Sequence, residues 1–532
     1  MGRHQLTQAA QARLSRETGT CFKQAPLSVA LCYPSPYHVA MSSLGYQQIY
    51  RQVNAHPDAC AERAVLPDDL EAHRGVPLFT LETQRDVSSF ELLAFSVAYE
   101  LELLGLFSML ELAGLSVFRE QRPATAPLVV AGGPLTFSNP DPLEPFVDVL
   151  VQGEADELIH QLLDEASAGG GKAAVLERLA KRPGFRVPGV SAESTRYFVA
   201  KASDAALPAH SVVVTPDTEL SNMFLVEPER GCSRGCHYCV MRRTTNGGMR
   251  KLPYEKVLSL VPEHAPRVGL VGAAVTDHPE ICELLEALVA RGKQVGVSSL
   301  RADRLTARLV NALKSGGARH LTVASDGASQ RLRDLVDRKH SEEQLIRAAK
   351  LASDAGLERL KVYNIVGLPT ETDADIDELV RFTLELSKVI PVALGVAPFA
   401  AKRNTPMDGA PFAGIEVVEG RLERIRKGLN RRAELRPVSA RWAWVEHMMA
   451  QCGPEGGLAA HDAHLKGGGF GAFKKAFKER ACEPYLARRV ADGRRVPVEW
   501  PVSASAVGRE VAGQTSPGAS RHPLPTSGRG TA

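Results

Sequence analysis

The sequence predicts an α/β protein in two parts, an N-terminal open parallel sheet of Rossmann-like type followed by a partial (β/α)6 barrel. Three observations predict it. Apolar runs of about four to six residues alternate with helical stretches in two successive series, as parallel strands joined by crossover helices do. A junction rich in glycine and proline, ASAGGGKAAVLERLAKRPGFRVPGVS, separates the two series. A cluster of cysteines, GCSRGCHYCV, follows directly on the first strand of the second series, where a barrel places its functional loops. At 532 residues the chain is too long for one core, and its apolar fraction of 44% is enough for more than one.

In chain order, residues 1–24 read as a polar extension, a short helix and a turn at Thr18 to Gly19, packed on the first domain. Residues 25–166 form that domain. SVALCYP is a strand, SPYHVAMSSLG a loop entering the helix LGYQQIYRQVNA, ACAERAVLP a second strand and PLFTLET a short strand-like piece. SSFELLAFSVAYELELLGLFSMLELAGL supplies a strand and a long apolar helix, PLVVAGGP a strand ending in Gly132 and Gly133, and VDVLVQGEADELIHQLLDEA a strand, a turn at Gly153 and a helix. Ligands of open parallel sheets bind beyond the carboxyl ends of the strands. Ser35 to His38, Phe95 to Tyr99, Gly132 to Pro134 and Gly153 to Glu154 are therefore the positions to watch.

Residues 167–218 are a linker with short extended pieces, in which Lys201 reads as surface charge. Residues 219–415 carry six strand-helix units, beginning at MFLVEPERGCSRGC and closing at PVALGVAPFAAKRNTPM. Residues 416–502 are helical and mixed. Their basic run RLERIRKGLNRRAELRP reads first as a solvated face, and Trp442, Trp444 and His447 are candidates to cover the barrel mouth or to make ordinary docking contacts. The Ser-, Gly-, Pro- and Thr-rich end, 503–532, has the composition of a disordered tail.

Composition excludes several classes. A net charge of +3 disfavours obligatory nucleic-acid binding, although a balanced total leaves room for a local basic patch. No apolar run reaches the roughly eighteen residues of a membrane span. The first residues lack the apolar core of a secretory signal, and nine cysteines, widely spaced apart from the central three, do not resemble a disulfide framework. The expected compartment is the cytoplasm.

Cys232, Cys236 and Cys239 bring three thiols into one polar, glycine-flanked stretch. Soft thiolates select zinc, copper or iron-sulfur centres. Structural zinc usually joins a CxxC pair to a second pair, and no second pair stands out here. Three thiolates without a fourth point to a 4Fe-4S cluster with one iron open to chemistry; a zinc knuckle is the alternative.

CxxxCxxC with an aromatic residue before the last cysteine resembles the signature of the radical S-adenosylmethionine (SAM) enzymes. The resemblance implies that Cys232, Cys236 and Cys239 hold the cluster, that SAM chelates the open iron, and that Tyr238 packs near the cofactor. It also implies a TIM-barrel-derived core. GAAVTDHPE resembles the GGE-like turn that meets the amino group of SAM, with Gly272 and Asp277 as candidates, although the glutamate of that turn is replaced. Ser298, Ser299 and Arg301 fall where the family reaches the ribose or carboxylate of SAM. ASDGASQRLR resembles a PEAGSQRLR stretch of the methylthiotransferase-like branch, which puts Asp326 at the glutamate and Ser325 at the proline. In GLPTETDADI, Gly367 and Pro369 correspond to a tight turn at the adenine site, and Thr372 with Asp375 makes a helix cap by its own chemistry.

The first domain resembles the cobalamin (B12)-binding domain that precedes many radical SAM cores. That resemblance assigns Gly132, Gly133 and Gly153 to the nucleotide tail of the cofactor and offers His38 as a ligand to cobalt, although the DxHxxG loop of that family is absent. The cofactors implied are a 4Fe-4S cluster and SAM, with cobalamin left open. The implied activity is reductive cleavage of SAM for cobalamin-dependent C-methylation or another radical modification. The competing readings are a methylthiotransferase-like modification of RNA or protein and a non-catalytic iron-sulfur regulator or scaffold. The substrate, a small molecule or peptide, is not named by the sequence, nor is any catalytic residue. An electron donor of the flavodoxin or ferredoxin kind is the implied partner.

Overall fold

The computed structural model describes residues 2–192, 198–241 and 248–483. The expected tail and the end of the C-terminal region, from 484 onward, lie outside the described residues.

The first sheet has the order β2-β1-β3-β4-β5-β6. Its strands are β1 (Leu27–Tyr33), β2 (Ala59–Val65), β3 (Leu92–Ser96), β4 (Leu128–Gly132), β5 (Val149–Val151) and β6 (Phe185–Arg186). The first five run parallel and β6, from the expected linker, closes the edge antiparallel to β5. This is the doubly wound order with its switch point between β1 and β3. All seven residues of β1 and all seven of β2 are buried, because helices cover both faces of a parallel sheet.

That burial includes a charge. Arg63 in β2 is 1% exposed and lies between Glu82 and Glu17, its Nε 2.6 Å from Glu82 Oε1 and its Nη2 2.6 Å from Glu17 Oε2. Glu17 precedes β1, so the ion pair ties that segment to β2. PLFTLET departs from its expected strand. Only a single bridge, Phe79 to Asp86, forms there, because Thr80 and Thr83 turn their hydroxyls to the buried Glu62 carboxylate at 2.5 and 2.7 Å. Such side-chain bonding competes with strand pairing.

The second sheet is an arc of parallel strands. β7 (Met223–Val226), β10 (Arg267–Leu270) and β11 (Gln294–Val297) pair in the order β11-β10-β7. β12 (His320–Ala324), β13 (Arg359–Val366), β14 (Val392–Pro398) and β15 (Glu434–Pro437) pair in that order, and a parallel bridge from Leu300 to Val323 joins the two groups. The six expected barrel strands are present. β15 extends the arc from the region assigned to the C-terminal part, and among the described residues no pairing closes it onto β7. The open edge of β7 is covered instead by the linker, where Ser211 N donates to Leu225 O at 2.8 Å and Glu227 N to Ala209 O at 3.0 Å. An unpaired edge is thereby removed.

The helices at 454–464 and 470–479 pack on the first domain, and the helix at 440–451 bridges the two parts, with His447 and Gln451 bonded to Ala401 beyond β14. Val445, Met448, Phe473 and Phe477 share a core with Phe107 and Phe146. Gly457 permits this approach, since a Cβ there would lie 1.9 Å from Pro142 O. Trp442 stacks edge-on against Phe473, and Trp444 against Phe470 and Phe477. These tryptophans make the docking contacts. The basic helix at 415–429 buries Val418, Leu422, Ile425 and Leu429, while Arg424 pairs with Asp373 and Asp377 on the solvent side.

Candidate metal centre and cofactor site

A two-stranded hairpin, β8 (Glu229–Gly231) with β9 (Met249–Lys251), brackets the cysteine loop. Gly231 turns the chain into it at φ +107°, a conformation that side chains disfavour. Cys236 is buried, and Cys232 and Cys239 are half-buried.

The residues between the cysteines are spokes to successive strand ends. Ser233 Oγ donates to Asp277 beyond β10, Arg234 Nη2 reaches Asp303 Oδ2 beyond β11 at 2.7 Å, and Tyr238 Oη donates to Asp326 Oδ2 beyond β12 at 2.8 Å. His237 N donates to Val336 O at 3.0 Å, and Met407 N to His237 O at 3.2 Å. Each carboxylate is itself held. Arg301 bonds Asp277 and forks onto Asp303, with Nη2 2.6 Å from Oδ2, and His340 Nε2 lies 2.8 Å from Asp303 Oδ1. Although burial opposes it, His340 and Arg301 hold the Asp303 carboxyl well below the usual range. Arg338 Nε lies 2.8 Å from Asp326 Oδ2, and its Nη1 is 3.8 Å from Cys236 Sγ.

Asp277, Arg301 and Asp326, expected to face SAM, thus also bond the loop or one another. Ser298 Oγ donates to Gly272 O at 3.0 Å, joining the ends of β10 and β11, and Ser299 is exposed. Gly367, at φ +82°, donates its N–H to Glu371 Oε1 at 2.8 Å. Burial pushes the Glu371 carboxyl up to about 7, against the opposing pull of that N–H and of Arg421. Pro369 stands in the same turn, half-buried. Asp375 accepts from Thr372 N at 2.8 Å, as expected of the cap, and also from Ser329 Oγ at 2.6 Å and Arg331 Nη2 at 2.6 Å. Two motifs separated in sequence therefore share one carboxylate.

Burial raises the thiol of Cys232 and takes that of Cys239 to about 11, and the charge of Cys236 adds to both, so the three sulfurs are electrostatic neighbours. Among the described residues no three His, Cys, Asp or Glu side chains converge on a single ion. Three soft thiolates on one loop fit an iron-sulfur cluster, whereas a structural zinc takes four protein ligands.

At the first domain the expected glycines differ among themselves. Gly132 has its nearest neighbour, Val151, at 3.6 Å from a built Cβ. Gly133 is closed by Val97 O at 2.7 Å and Gly153 by Ala200 N at 2.3 Å, measured the same way. His38 sits half-exposed, with Nδ1 3.9 Å from Asp68 Oδ1. The carboxyl edge of this sheet meets the barrel. Glu154 and Asp156, just beyond β5, bond Arg250 and Arg230 of the cysteine hairpin, and Lys402, beyond β14, lies 2.8 Å from Glu100 Oε1 beyond β3. Arg230, Arg250, Asp303 and Arg338 were not legible as site residues; only Arg230, beside GC in the sequence, carried a signal that could have found it.

A family profile described as "Radical SAM proteins, N-terminal" matches residues 45–188, and one described as "Radical SAM superfamily" matches residues 226–383. The chain is 26% identical over 395 residues to an uncharacterized protein of Methanocaldococcus jannaschii, covering 72% of this chain and 80% of that one. It is 23% identical over 270 residues to an uncharacterized methyltransferase of Pyrococcus horikoshii, covering 48% of this chain and 58% of the relative. The solved structure of OxsB, a cobalamin-dependent SAM radical enzyme with aqua-cobalamin and SAM bound, aligns at 15% identity and a TM-score of 0.47 over 76% of this chain and 56% of that one. Two profiles of one superfamily, together spanning more than half of the chain and including the three-cysteine loop in the second, establish that this protein belongs to the radical SAM superfamily of enzymes.

Proposed function

We propose that this protein reductively cleaves SAM at a 4Fe-4S cluster held by Cys232, Cys236 and Cys239, and that the overall reaction is methyl transfer to a carbon centre with cobalamin in the first domain. The observation that carries the first part is the pinning of the cysteine loop. Ser233, Arg234 and Tyr238 bond carboxylates beyond three consecutive strands. When bound, the cluster supplies the electron that splits SAM into methionine and a 5'-deoxyadenosyl radical.

The protein's part is orientation and exclusion. Loop side chains tied to rigid strand ends limit the positions that the three sulfurs can take. Arg338, with Nη1 3.8 Å from Cys236 Sγ, places a positive charge beside the sulfurs. The fold of the first domain, with its carboxyl edge bonded to the cysteine hairpin through Glu154 and Asp156, supports a cofactor role there. Likeness to an archaeal protein named as a methyltransferase supports methyl transfer. Gly133 and Gly153 contribute no open cradle, so cobalamin is assigned no contact through them, and no step depends on His38.

Anaerobic reconstitution followed by iron analysis and chromatography tests the reading. Wild-type protein is expected to hold about four irons and, with a one-electron donor of the flavodoxin or ferredoxin class, to form 5'-deoxyadenosine from SAM. Cys232→Ala, Cys236→Ala and Cys239→Ala should each lose cluster and product. A full cluster in all three variants would sink the ligand assignment. Absence of a spectral change with micromolar cobalamin would remove the methyl-transfer part and leave SAM cleavage standing.

A further inference from the structure

Parallel sheets are ordinarily buried on both faces, and closed barrels fill their interior with bulky branched side chains. One face of the barrel arc does neither. On β13, Leu360, Val362 and Val366 join the core under the helices, so Lys361 and Tyr363, which alternate with them, face the inside of the arc. β13 is paired on both sides, to β12 and β14, yet Tyr363 is 50% exposed and Lys361 half-buried. This surface is open to a ligand in the protein as it stands.

The register sets out its chemistry. Lys361 pairs with Ala393 and Ala393 with Glu434; one row nearer the carboxyl ends, Tyr363 pairs with Gly395 and Gly395 with Arg436. β14 is therefore a floor of small residues between walls from β13 and β15, which stand two strand spacings, about 10 Å, apart. A Cβ on Gly395 would lie 2.7 Å from Tyr363 Cδ1, so glycine lets the phenol ring lie over the floor. The ring reaches the far wall: the bond to Glu434 first, and the Tyr363 phenol last, raise the Arg436 guanidinium. Tyr363 also adjoins the metal centre, because its carbonyl accepts from Ser325 N at 2.8 Å and Asp326 N at 3.3 Å, and Asp326 holds Tyr238 of the cysteine loop.

The trough is cationic. Arg359, Lys361 and Arg436 share it with one carboxylate, Glu434, which pairs with Arg359 and accepts from Arg436 Nε at 2.6 Å. Among the described residues neither the Lys361 ammonium nor the Tyr363 hydroxyl has a hydrogen-bond partner, and Arg436 bonds only through Nε. Donors are in excess on both walls, and the excess charge is positive.

We infer that this trough binds an oxyanion, the carboxylate or phosphate of a small-molecule substrate, between Lys361 and Arg436, with the Tyr363 hydroxyl donating a further bond. The charged end of the substrate then lies inside the arc, and the remainder extends toward the cysteine loop. In taking the anion to be the substrate the inference rests on the proposed function; the binding itself requires neither cluster nor SAM.

The test is NMR line broadening of inorganic phosphate and of acetate, titrated against the full-length protein without metal. Wild type is expected to bind one or both saturably. Tighter phosphate assigns a phosphate-bearing substrate, and tighter acetate a carboxylate. Lys361→Met and Arg436→Gln should each weaken the preferred anion by about tenfold, the worth of a hydrogen bond to a charged group. Tyr363→Phe, which removes only an exposed hydroxyl, should weaken it about fivefold. Lys388→Met, at an exposed lysine capping the helix at 373–387, should leave it unchanged. Absence of saturable binding in wild type overturns the inference, and so does binding that every variant retains, which marks an adventitious ion only. Should Lys361→Met fail to fold, Tyr363→Phe decides, because unchanged affinity there overturns the assignment. Cluster-loaded protein that forms 5'-deoxyadenosine while wild type binds neither anion sinks this inference alone. Anion binding with the expected losses, but no 5'-deoxyadenosine, upholds the anion site and overturns the proposed function together with the site's role toward a substrate.

Discussion

Arg230 Nη1 lies 2.6 Å from Asp156 Oδ2, and only Gly231 separates that arginine from Cys232. The contact joins the carboxyl edge of the first sheet to the strand that enters the cysteine loop. Arg230 also holds Glu227, with Nη2 2.7 Å from Oε1, and Gln48 Nε2 donates to Asp156 Oδ1 at 3.0 Å. These bonds tie the first domain to the cysteine loop.

Asp156→Asn should therefore weaken both parts. The Asp156 side chain is 6% exposed and that of Arg230 15%. Removing one partner of a buried pair costs about 3 kcal/mol or more, and Glu227 retains part of the arginine's pairing. The expected outcome is a lowered urea midpoint together with reduced iron uptake on reconstitution. Unchanged iron content at a lowered midpoint would show that the contact serves the fold alone.

Asp375 joins the SQRLR and GLPTETD segments. Burial opposes its ionisation, but Arg331, Ser329 and Thr372 hold its carboxyl down to about 2. Because the folded value lies below the unfolded one, the stabilisation is present above about pH 4 and is lost as pH falls through 2. It amounts to about 2 kcal/mol. Asp375→Asn should lose about that much stability at pH 7, and the gap to wild type should close in acid; a gap independent of pH would refute the linkage.

His447 is held neutral. Burial, then the charge of Lys402, pushes its imidazole down to about 4, and Ala401 N donates to Nδ1 at 3.3 Å. The unfolded chain takes up the proton first, so stability is full above about pH 6.5 and falls as pH drops toward 4. Between pH 7 and pH 5 the loss is about 2 kcal/mol. His447→Gln keeps an acceptor for Ala401 without a titrating group, so denaturant titrations should show wild type losing that much more than the variant. Parallel losses would mean that the imidazole is not buried neutral.

Much of the site was readable because its information is local. Three thiols in ten residues carry their chemistry wherever the loop lies, and the Thr372 cap depends on Asp375 three positions on. The strands were readable because parallel sheets bury nearly every residue, which leaves continuous apolar runs. The expected roles of Asp277, Arg301 and Asp326 came from resemblance to family motifs, and what the sequence could not show is that Ser233, Arg234 and Tyr238 reach across to the strand-end carboxylates.

The sequence by itself determined the two α/β parts, the order of the strands along the chain and the three-cysteine loop, since periodicity and short spacings suffice for these. Tertiary structure alone decided which side chains meet. It brought β15 into the barrel arc, docked Trp442 and Trp444 on the helix at 470–479, closed Gly133 and Gly153 with backbone, and laid the Glu229 carboxylate on Gly272. Those outcomes depend on distances between residues far apart in the chain, where a hydrogen bond is made or lost within a few tenths of an ångström.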